Sequence, residues 1–568
     1  MKRAIPVVIA GLLLSACAAK NKEKYPIAEM PQALFLVEPR EKVKEVVFDA
    51  SACGPLGPIT GDAYQALEVL VAAGNRRTGS QAFRCAAEAA QDALAARGWD
   101  VQLQNYLFPY YQVNEDGFNV SRLSDGKRFP SFPVMYSLPT TDLPGGRITA
   151  KVVRKDGPVK GRIVYLKLPL FFPHLKETVR KLARKGAVGF IVEADLSPIY
   201  SKGLPYAIRA HETSWHYGPL PGLVVADAKE LIGEEVMLTN HSRIVPGRGW
   251  NVVAKTQGDY QDYVLVTAHL DSWYQGALDD GSGSAVVIEL ARRLEPKPSG
   301  PTGVILLLAD GEEIGLFGSA DFIRRFGSNQ IKAVVELDMV SRRNDYGKRG
   351  PAQAKVLPRI NTAVPVMKPI ARRAFADWKG KYYLVPARVS RTINGGGLGS
   401  DMEWFYFAGV PGLMIWTPSR YYHTEKDDLA YMDAADLEAV TQAVARLVEE
   451  LRDQPVAREV PNHLDFDFAA EVKPDGQIGL QVKLPQRLGR AKVKVSVLYE
   501  NGAEQSKLDL KKDQDGVWRG EYAPVYTGTY QCLATLKAGS KFGRGWTVIE
   551  VPARAETGPG PEAKAGRD

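Results

Sequence analysis

The stretch 306-LLLADGEEIGLFGS-319, Leu306 to Ser319, passes from unbroken aliphatic residues straight into two adjacent glutamates, Glu312 and Glu313. A short apolar run with no polar alternation reads as a strand buried on both faces, the pattern of a parallel sheet covered by helices. In open sheets of that kind, ligands bind in the crevice outside the carboxyl ends of the strands. A glutamate pair on a helix surface is usually just solvated. A pair at the end of a buried strand opens onto that crevice instead.

Other strands of the same character flank it: "NVVAKT", "YVLVTAHLD", "KAVVELDMV" and "PGLMIWT". Helical patterns lie between them, "SGSAVVIELARRL" (Ser282 to Leu294), "SADFIRRFG" and "ADLEAVTQAVARLVEELRD". The alternation predicts an α/β fold, a mainly parallel or mixed central sheet sandwiched by helices, over residues 58–125 and 249–456. Between these parts, 126–248 carries its own strands and helix, "GRIVYLKL", "LKETVRKLARKG" and "AVGFIVEA", and reads as an α/β insertion. Residues 460–553 change to short alternating strands, expected to form a small β-sandwich. The tail 554–568, "ETGPGPEAKAGRD" at its core, has the composition of disorder.

With 568 residues the chain is too long for one ordinary domain. A net charge of +8 is modest for that length, and no basic-aromatic alternation follows it, so nucleic acid is not an expected partner. The N-terminal "MKRAIPVVIAGLLLSAC" has a cationic start and an apolar stretch too short to span a membrane, which is a secretory signal. Its ending, Leu14 to Cys17, resembles a bacterial lipobox. That resemblance implies a lipid on Cys17, a tether over 18–57 and, with Ala18 rather than Asp next, an outer-membrane location facing the periplasm or the cell surface. Export permits disulfides, and Cys53, Cys85 and Cys532 leave one pair and one thiol. Cys53 with Cys85 is the expected pair because both lie in the N-terminal part, although position alone does not fix it.

Polar residues gather at the strand ends. "VLVTAHLDS" ends in His269 and Asp271, "VVELDMV" carries Asp338, and "GALDDGSGS" supplies Asp279. "PGLMIWTPSRYYHTEKDD" brings His423, and Glu313 completes five candidate ligands. Two histidines with three carboxylates suit zinc. Two ions close together need a ligand that reaches both, and a carboxylate can bridge where an imidazole cannot; Asp279 is the natural bridge. A lone strand-end histidine is more often a hydrogen-bonded structural residue. Five such groups together are another matter, because unpaired buried carboxylates are too costly to accumulate by chance.

Together the motifs "AHLDS", "GALDDGSG", "GEEIGLFGS", "ELDMVS", "GSDMEWFYFAGVPG" and "YYHTEKDD" resemble, in order, those of the M28 co-catalytic zinc peptidases, the aminopeptidase Y and glutamate carboxypeptidase group. The resemblance runs over roughly Gly61 to Leu451. It implies two zinc ions, one held by His269, Asp279 and Asp338, the other by Asp279, Glu313 and His423. It also implies that Glu312 is the general base, taking a proton from the attacking water and returning it to the leaving amine. Asp271 would fix the His269 tautomer, and Tyr422 would donate to the oxyanion. Ser400 and Asp401 match the family's "SD" with a structural role. The insertion resembles a protease-associated domain, which in such peptidases narrows access to the cleft.

The expected function is therefore a zinc exopeptidase acting on a peptide or protein substrate, with aminopeptidase as the expected direction. The alternatives are a carboxypeptidase of the glutamate carboxypeptidase type, a one-zinc glutaminyl cyclase and a non-catalytic binding protein. A carboxypeptidase needs a cation for the substrate carboxylate, for which Arg209, Arg388, Arg391 and Arg420 are candidates.

Overall fold

The computed structural model describes residues 49–54, 56–112, 117–141, 143–167, 175–193, 220–341, 359–377, 382–387, 389–390, 398–417, 419, 423, 426–457, 466–484, 491–499, 504–524, 528–538 and 541–552. Outside them lie Cys17 with its signal, most of the tether, Tyr422, the four candidate arginines and the 554–568 tail. The described residues form two units, one within 49–457 and one within 466–552.

The first unit opens with two capped helices, α1 (Ala63–Ala72) and α2 (Gln81–Ala95). The Asp62 carboxylate accepts from the amides of Tyr64 and Gln65, and the Ser80 hydroxyl from that of Phe83. A disulfide joins Cys53 to Cys85 in α2, and Cys532 is a buried thiol. Strand β1 (Asp100–Gln112) follows.

The chain then builds a second sheet from β2 (Phe118–Arg122), β3 (Arg128–Phe129), β4 (Ser131–Pro133), β5 (Ile148–Arg154), β6 (Ile163–Leu166), helix α3 (Leu175–Arg184), β7 (Gly189–Glu193), β8 (Gly222–Val225) and β9 (Glu235–Asn240). The strand order is β3-β2-β9-β5-β6-β7-β8-β4, with β5 to β8 parallel. Two boundaries differ from the expected 126 and 248. Strand β2 pairs with β9, so this sheet already includes Phe118, and the chain re-enters the first sheet at Arg243. Neither junction carries a composition break, which is why pattern alone misplaces both.

The return strand β10 (Arg243–Lys255) runs antiparallel to β1 along its whole length, with Gln112 opposite Arg243. After it come β11 (Asp262–His269), α4 (Gly283–Arg293), β12 (Thr302–Ala309), α5 (Phe317–Phe326), β13 (Ile331–Asp338), β14 (Arg359–Ala363), α6 (Met367–Ala374), β15 (Tyr382–Pro386), α7 (Met402–Phe407), β16 (Gly412–Trp416) and α8 (Ala434–Asp453). The first sheet has the order β1-β10-β12-β11-β13-β16-β14-β15. Its centre, β12-β11-β13-β16, is parallel. Every residue of β12 is buried, so both faces of the sheet are covered. Helices α1, α4, α6 and α8 pack together on it, while α5 packs with α7.

The second unit holds two four-stranded antiparallel sheets. One comprises β17 (Asp467–Val472), β18 (Ile478–Lys483), β21 (Lys511–Lys512) and β22 (Trp518–Tyr522). The other comprises β19 (Ala491–Tyr499), β20 (Glu504–Asp509), β23 (Gly528–Ala538) and β24 (Lys541–Val551). Ile478, Leu480 and Val482 of the first meet Val493, Val495 and Val497 of the second in one core. Among the described residues, no helix of either unit is long and apolar enough to cross a membrane.

Candidate metal centre

The parallel strands β11, β12 and β13 end side by side, and their ends bring His269, the Glu312–Glu313 pair and Asp338 into one crevice. Asp279 enters from the loop before α4, and His423 from beyond β16. The α4 loop fits only because of its glycines: a Cβ on Gly283 would lie 2.5 Å from Asp280 Oδ2 and from the Leu337 carbonyl. The peptide bond between Asp279 and Asp280 is cis. Of the six described non-glycine residues with positive φ, four lie in segments bordering this crevice: Tyr274, Leu316, Met339 and His423. The backbone is thus held in sparsely populated conformations where the polar groups converge, as at many functional sites.

All five candidate ligands are brought together. Asp279 Oδ1 lies 3.2 Å from His269 Nε2, while Asp279 Oδ2 lies 3.1 Å from His423 Nε2. Glu313 Oε2 is 2.7 Å from His423 Nε2, and Asp338 Oδ1 is 3.9 Å from His269 Nε2. One carboxylate therefore turns each of its oxygens to a different imidazole. Ligand atoms of His269, Asp279 and Glu313 lie within 4.8 Å of one another, as do those of His269, Asp280 and Asp338.

The donor chemistry fits divalent metal. Glu313 Oε1 and Asp338 Oδ1 are buried and accept no hydrogen bond among the described residues. Buried carboxylate oxygens are ordinarily satisfied, and a cation held between imidazoles and carboxylates would satisfy these. Burial and the charge of Asp279 push Glu313 and Asp338 each up to about 7, against the pull of the imidazoles. Burial opposes ionisation of Asp279 as well, yet His269 and His423 hold it below the usual carboxylate range. Burial would lower His423, but Glu313 and Asp279 outweigh it and raise it to about 9. These directions belong to the side chains alone; a bound dication would lower each of them.

Asp271 meets His269 with its backbone as well as its carboxylate. His269 Nδ1 lies 2.9 Å from the backbone carbonyl of Asp271, and 3.6 Å from its carboxylate. A carbonyl can only accept, so Nδ1 carries a proton, which leaves Nε2 as the ring atom that would ligate a cation in the crevice. The carboxylate also takes the amides of Glu312 and Glu313, each at 3.2 Å, and the Thr78 hydroxyl. It thereby positions the glutamate pair. Glu312 stays partly exposed. Burial and the neighbouring Glu313, Asp401 and Asp338 push its carboxyl well above the usual range, against His269.

Several supporting residues escaped the sequence reading. Asp427 accepts from the amides of Leu278 and Asp279, both at 2.9 Å, and so fastens the bridging loop to the segment after His423. Its only signal was the acidic pair that ends "YYHTEKDD". Glu336 takes the Ser400 hydroxyl and the Met402 amide, and Asp401 takes the Ser319 hydroxyl. These bonds give Ser400 and Asp401 structural contacts.

Arg76, in the "GNRRTGS" break between α1 and α2, is fully buried. Its guanidinium donates to the carbonyls of Leu270, Gln275 and Gly276 in the loop between His269 and Asp279 and to that of Leu70 in α1, and so braces the loop against the helix. Burial lowers its pKa to about 10, against the attraction of Asp427 and Asp271, so it remains charged at neutral pH. Arg76→Met leaves those carbonyls without their donor and is expected to cost about 3–5 kcal/mol. Denaturant unfolding measures this, and a loss below about 1 kcal/mol would refute the bracing role.

A cleft beside Glu313 and Asp271 is walled by Phe108 and Tyr110 of β1, by Met135 and Tyr136 beyond β4, and by Ser272 and Trp273.

Residues 251–448 match the model of Peptidase family M28. A probable glutamate carboxypeptidase of Arabidopsis thaliana is 30% identical over 199 residues, covering 32% of this chain and 28% of that protein. An aminopeptidase of Pseudomonas aeruginosa is 22% identical over 336 residues, covering 50% of this chain and 60% of its own. The chain thus spans less than two thirds of the length of either relative. In three dimensions it is similar to a zinc aminopeptidase from Bacillus subtilis, with a TM-score of 0.55 and 20% identity over 72% of this chain and 96% of that one. An aminopeptidase from Aneurinibacillus sp. gives a TM-score of 0.52 at 18% identity, over 71% and 96%. At these identities the likeness is one of fold.

Proposed function

Because residues 251–448 form a domain of peptidase family M28, we propose that the protein is a zinc-dependent exopeptidase with two metal ions, acting as an aminopeptidase. The observation that carries this reading is the Asp279 carboxylate, whose two oxygens face two different imidazoles. A shared carboxylate between two such sets is the arrangement that two adjacent ions require. His269 and Asp338 would complete one set, Glu313 and His423 the other. Zinc is favoured by the mixture of imidazole and carboxylate donors.

Metal held by His269, Asp279, Asp338, Glu313 and His423 would supply Lewis acidity toward the scissile carbonyl. Glu312 stands outside both ligand sets with partial exposure. It removes a proton from water as the oxygen of that water bonds to the carbonyl carbon, then gives the proton to the amine nitrogen as the C–N bond breaks. Asp271 keeps Glu312 and Glu313 in place through their amides. Tyr422 is assigned the oxyanion contact from its motif.

The insertion is assigned as a protease-associated domain that narrows access, a reading supported by Met135 and Tyr136 in the cleft wall. From the signal-like N-terminus, the protein is assigned to the exported lipoproteins, held in the outer membrane by Cys17.

The test uses purified protein, matched peptides with free or acetylated N-termini, and metal analysis. Two equivalents of zinc and cleavage of free-amine peptides alone support the reading. Equal cleavage of acetylated peptides from their C-termini replaces it with a carboxypeptidase. One zinc per chain with cyclisation of N-terminal glutamine replaces it with a glutaminyl cyclase.

A further inference from the structure

The net charge of +8 is not spread along the chain. Residues 151–187 hold 11 Lys and Arg against 2 Asp and Glu, a net charge of +9. That leaves 62 cations against 63 anions elsewhere, a net −1 over the other 531 residues. The stretch falls in the second sheet, between the start of β5 and the start of β7.

The fold gathers part of it at one place. Strands β6 and β7 are parallel neighbours, with Ile163 opposite Gly189. Lys160 and Arg162 stand just before β6. Lys181, Arg184 and Lys185 lie in the last turn of α3 and just after it. The two connections are tied together: the Gly161 amide donates to the Gly186 carbonyl at 2.7 Å, and the Val188 amide to the Arg162 carbonyl at 3.0 Å. The Lys160 stem packs against Gly186. All five cations are exposed, while Leu175, Val179 and Leu182 bury the apolar face of α3 in the insertion's own core. Among the described side chains of α3, the exposed ones are therefore the cations Lys181 and Arg184, not an apolar surface in need of a protein partner. Asp156 is the acidic residue of the β5–β6 connection, and Glu235 lies opposite Lys151, outside this cluster.

We infer that this cationic face of the insertion docks on an anionic phospholipid surface. The choice of a membrane over other polyanions rests on the lipid-anchor reading of Cys17. Between Cys17 and Asp49 lie 31 residues, a contour of up to about 100 Å. A lipid on Cys17 would keep the protein near the bilayer, but a point of attachment so far along the chain from Asp49 does not itself choose which face meets it. A basic patch supplies that choice through its attraction to anionic headgroups.

The experiment is vesicle flotation of the full chain. Cys17→Ser, which cannot accept a lipid, isolates the patch, and the unsubstituted chain on neutral phosphatidylcholine vesicles tests the anchor separately. Each basic side chain near an anionic surface contributes roughly fivefold to partitioning, so at about 30% phosphatidylglycerol the Cys17→Ser chain is expected to bind at least about tenfold better than to neutral vesicles. High salt should remove that difference. Replacing Lys160, Arg162, Lys181, Arg184 and Lys185 by Glu should abolish it, and replacing them by Gln should reduce it, with peptide hydrolysis in solution and thermal melting unchanged. Absence of the anionic preference, or its survival in a folded Glu variant, overturns the inference even if the anchor holds. A patch that captures heparin and ignores the vesicles overturns the membrane assignment.

Discussion

Glu312→Gln is expected to lower kcat by about 10²- to 10⁴-fold, with KM and zinc content unchanged. The substitution keeps the shape of the side chain and removes its ability to accept a proton. It spares the backbone amide that donates to Asp271 and touches neither proposed ligand set. Steady-state kinetics with metal analysis of the same sample separates the two roles of the glutamate pair. A turnover within tenfold of the parent would move the base elsewhere. The next carboxylate to test would be Asp401, which is buried and has one oxygen without a hydrogen bond among the described residues.

Asp279→Asn is the second large effect. Asparagine keeps the size of the side chain, but one of its two heads becomes an NH₂ that cannot ligate a cation. Because the two oxygens of Asp279 face His269 and His423 separately, either orientation of the amide spoils one set. Zinc is expected to fall from two equivalents to one or none. Activity should fall by more than the about 10- to 100-fold typical of residues that only support a ligand. Chelation followed by added zinc should restore the parent enzyme and leave the variant inactive. A variant that retains two zinc ions would rule out the bridging role.

The site was legible where chemistry had to be written at strand ends. His269, Glu313 and Asp338 each follow a run of buried aliphatic residues, and a charged group there is conspicuous. The supporting layer was not. Arg76 sits in a glycine-rich break that reads as a loop, and only tertiary structure turns its guanidinium toward four carbonyls. Beside the Asp271 carboxylate, the backbone carbonyl of the same residue meets His269 Nδ1, a contact that no side-chain pattern can announce.

The fold divides in the same way. Strands β11, β12 and β13 could be read because covered parallel strands are built on buried apolar runs. Strands β14, "RINTA", and β15, "YYLVP", are the last two of the sheet, with β15 at its edge, and they carry no long aliphatic run. In the second unit β20, "EQSKLD", is largely polar, so alternation revealed only some of the eight strands.

Strands β1 and β10 stay paired from Asp100 opposite Lys255 to Gln112 opposite Arg243. The chain therefore leaves for the second sheet and comes back at the same point. Segments whose ends lie side by side are the ones a fold can gain or lose with least disturbance. Here a hairpin turn between Gln112 and Arg243 would close the ladder without changing its register. In evolutionary terms, residues 113–242 form a cassette. A lineage could exchange the whole cassette, and with it Met135 and Tyr136 of the cleft wall, while the strands that carry His269, Glu312 and Asp338 remain untouched. Selectivity and chemistry would then diversify at different rates within one chain.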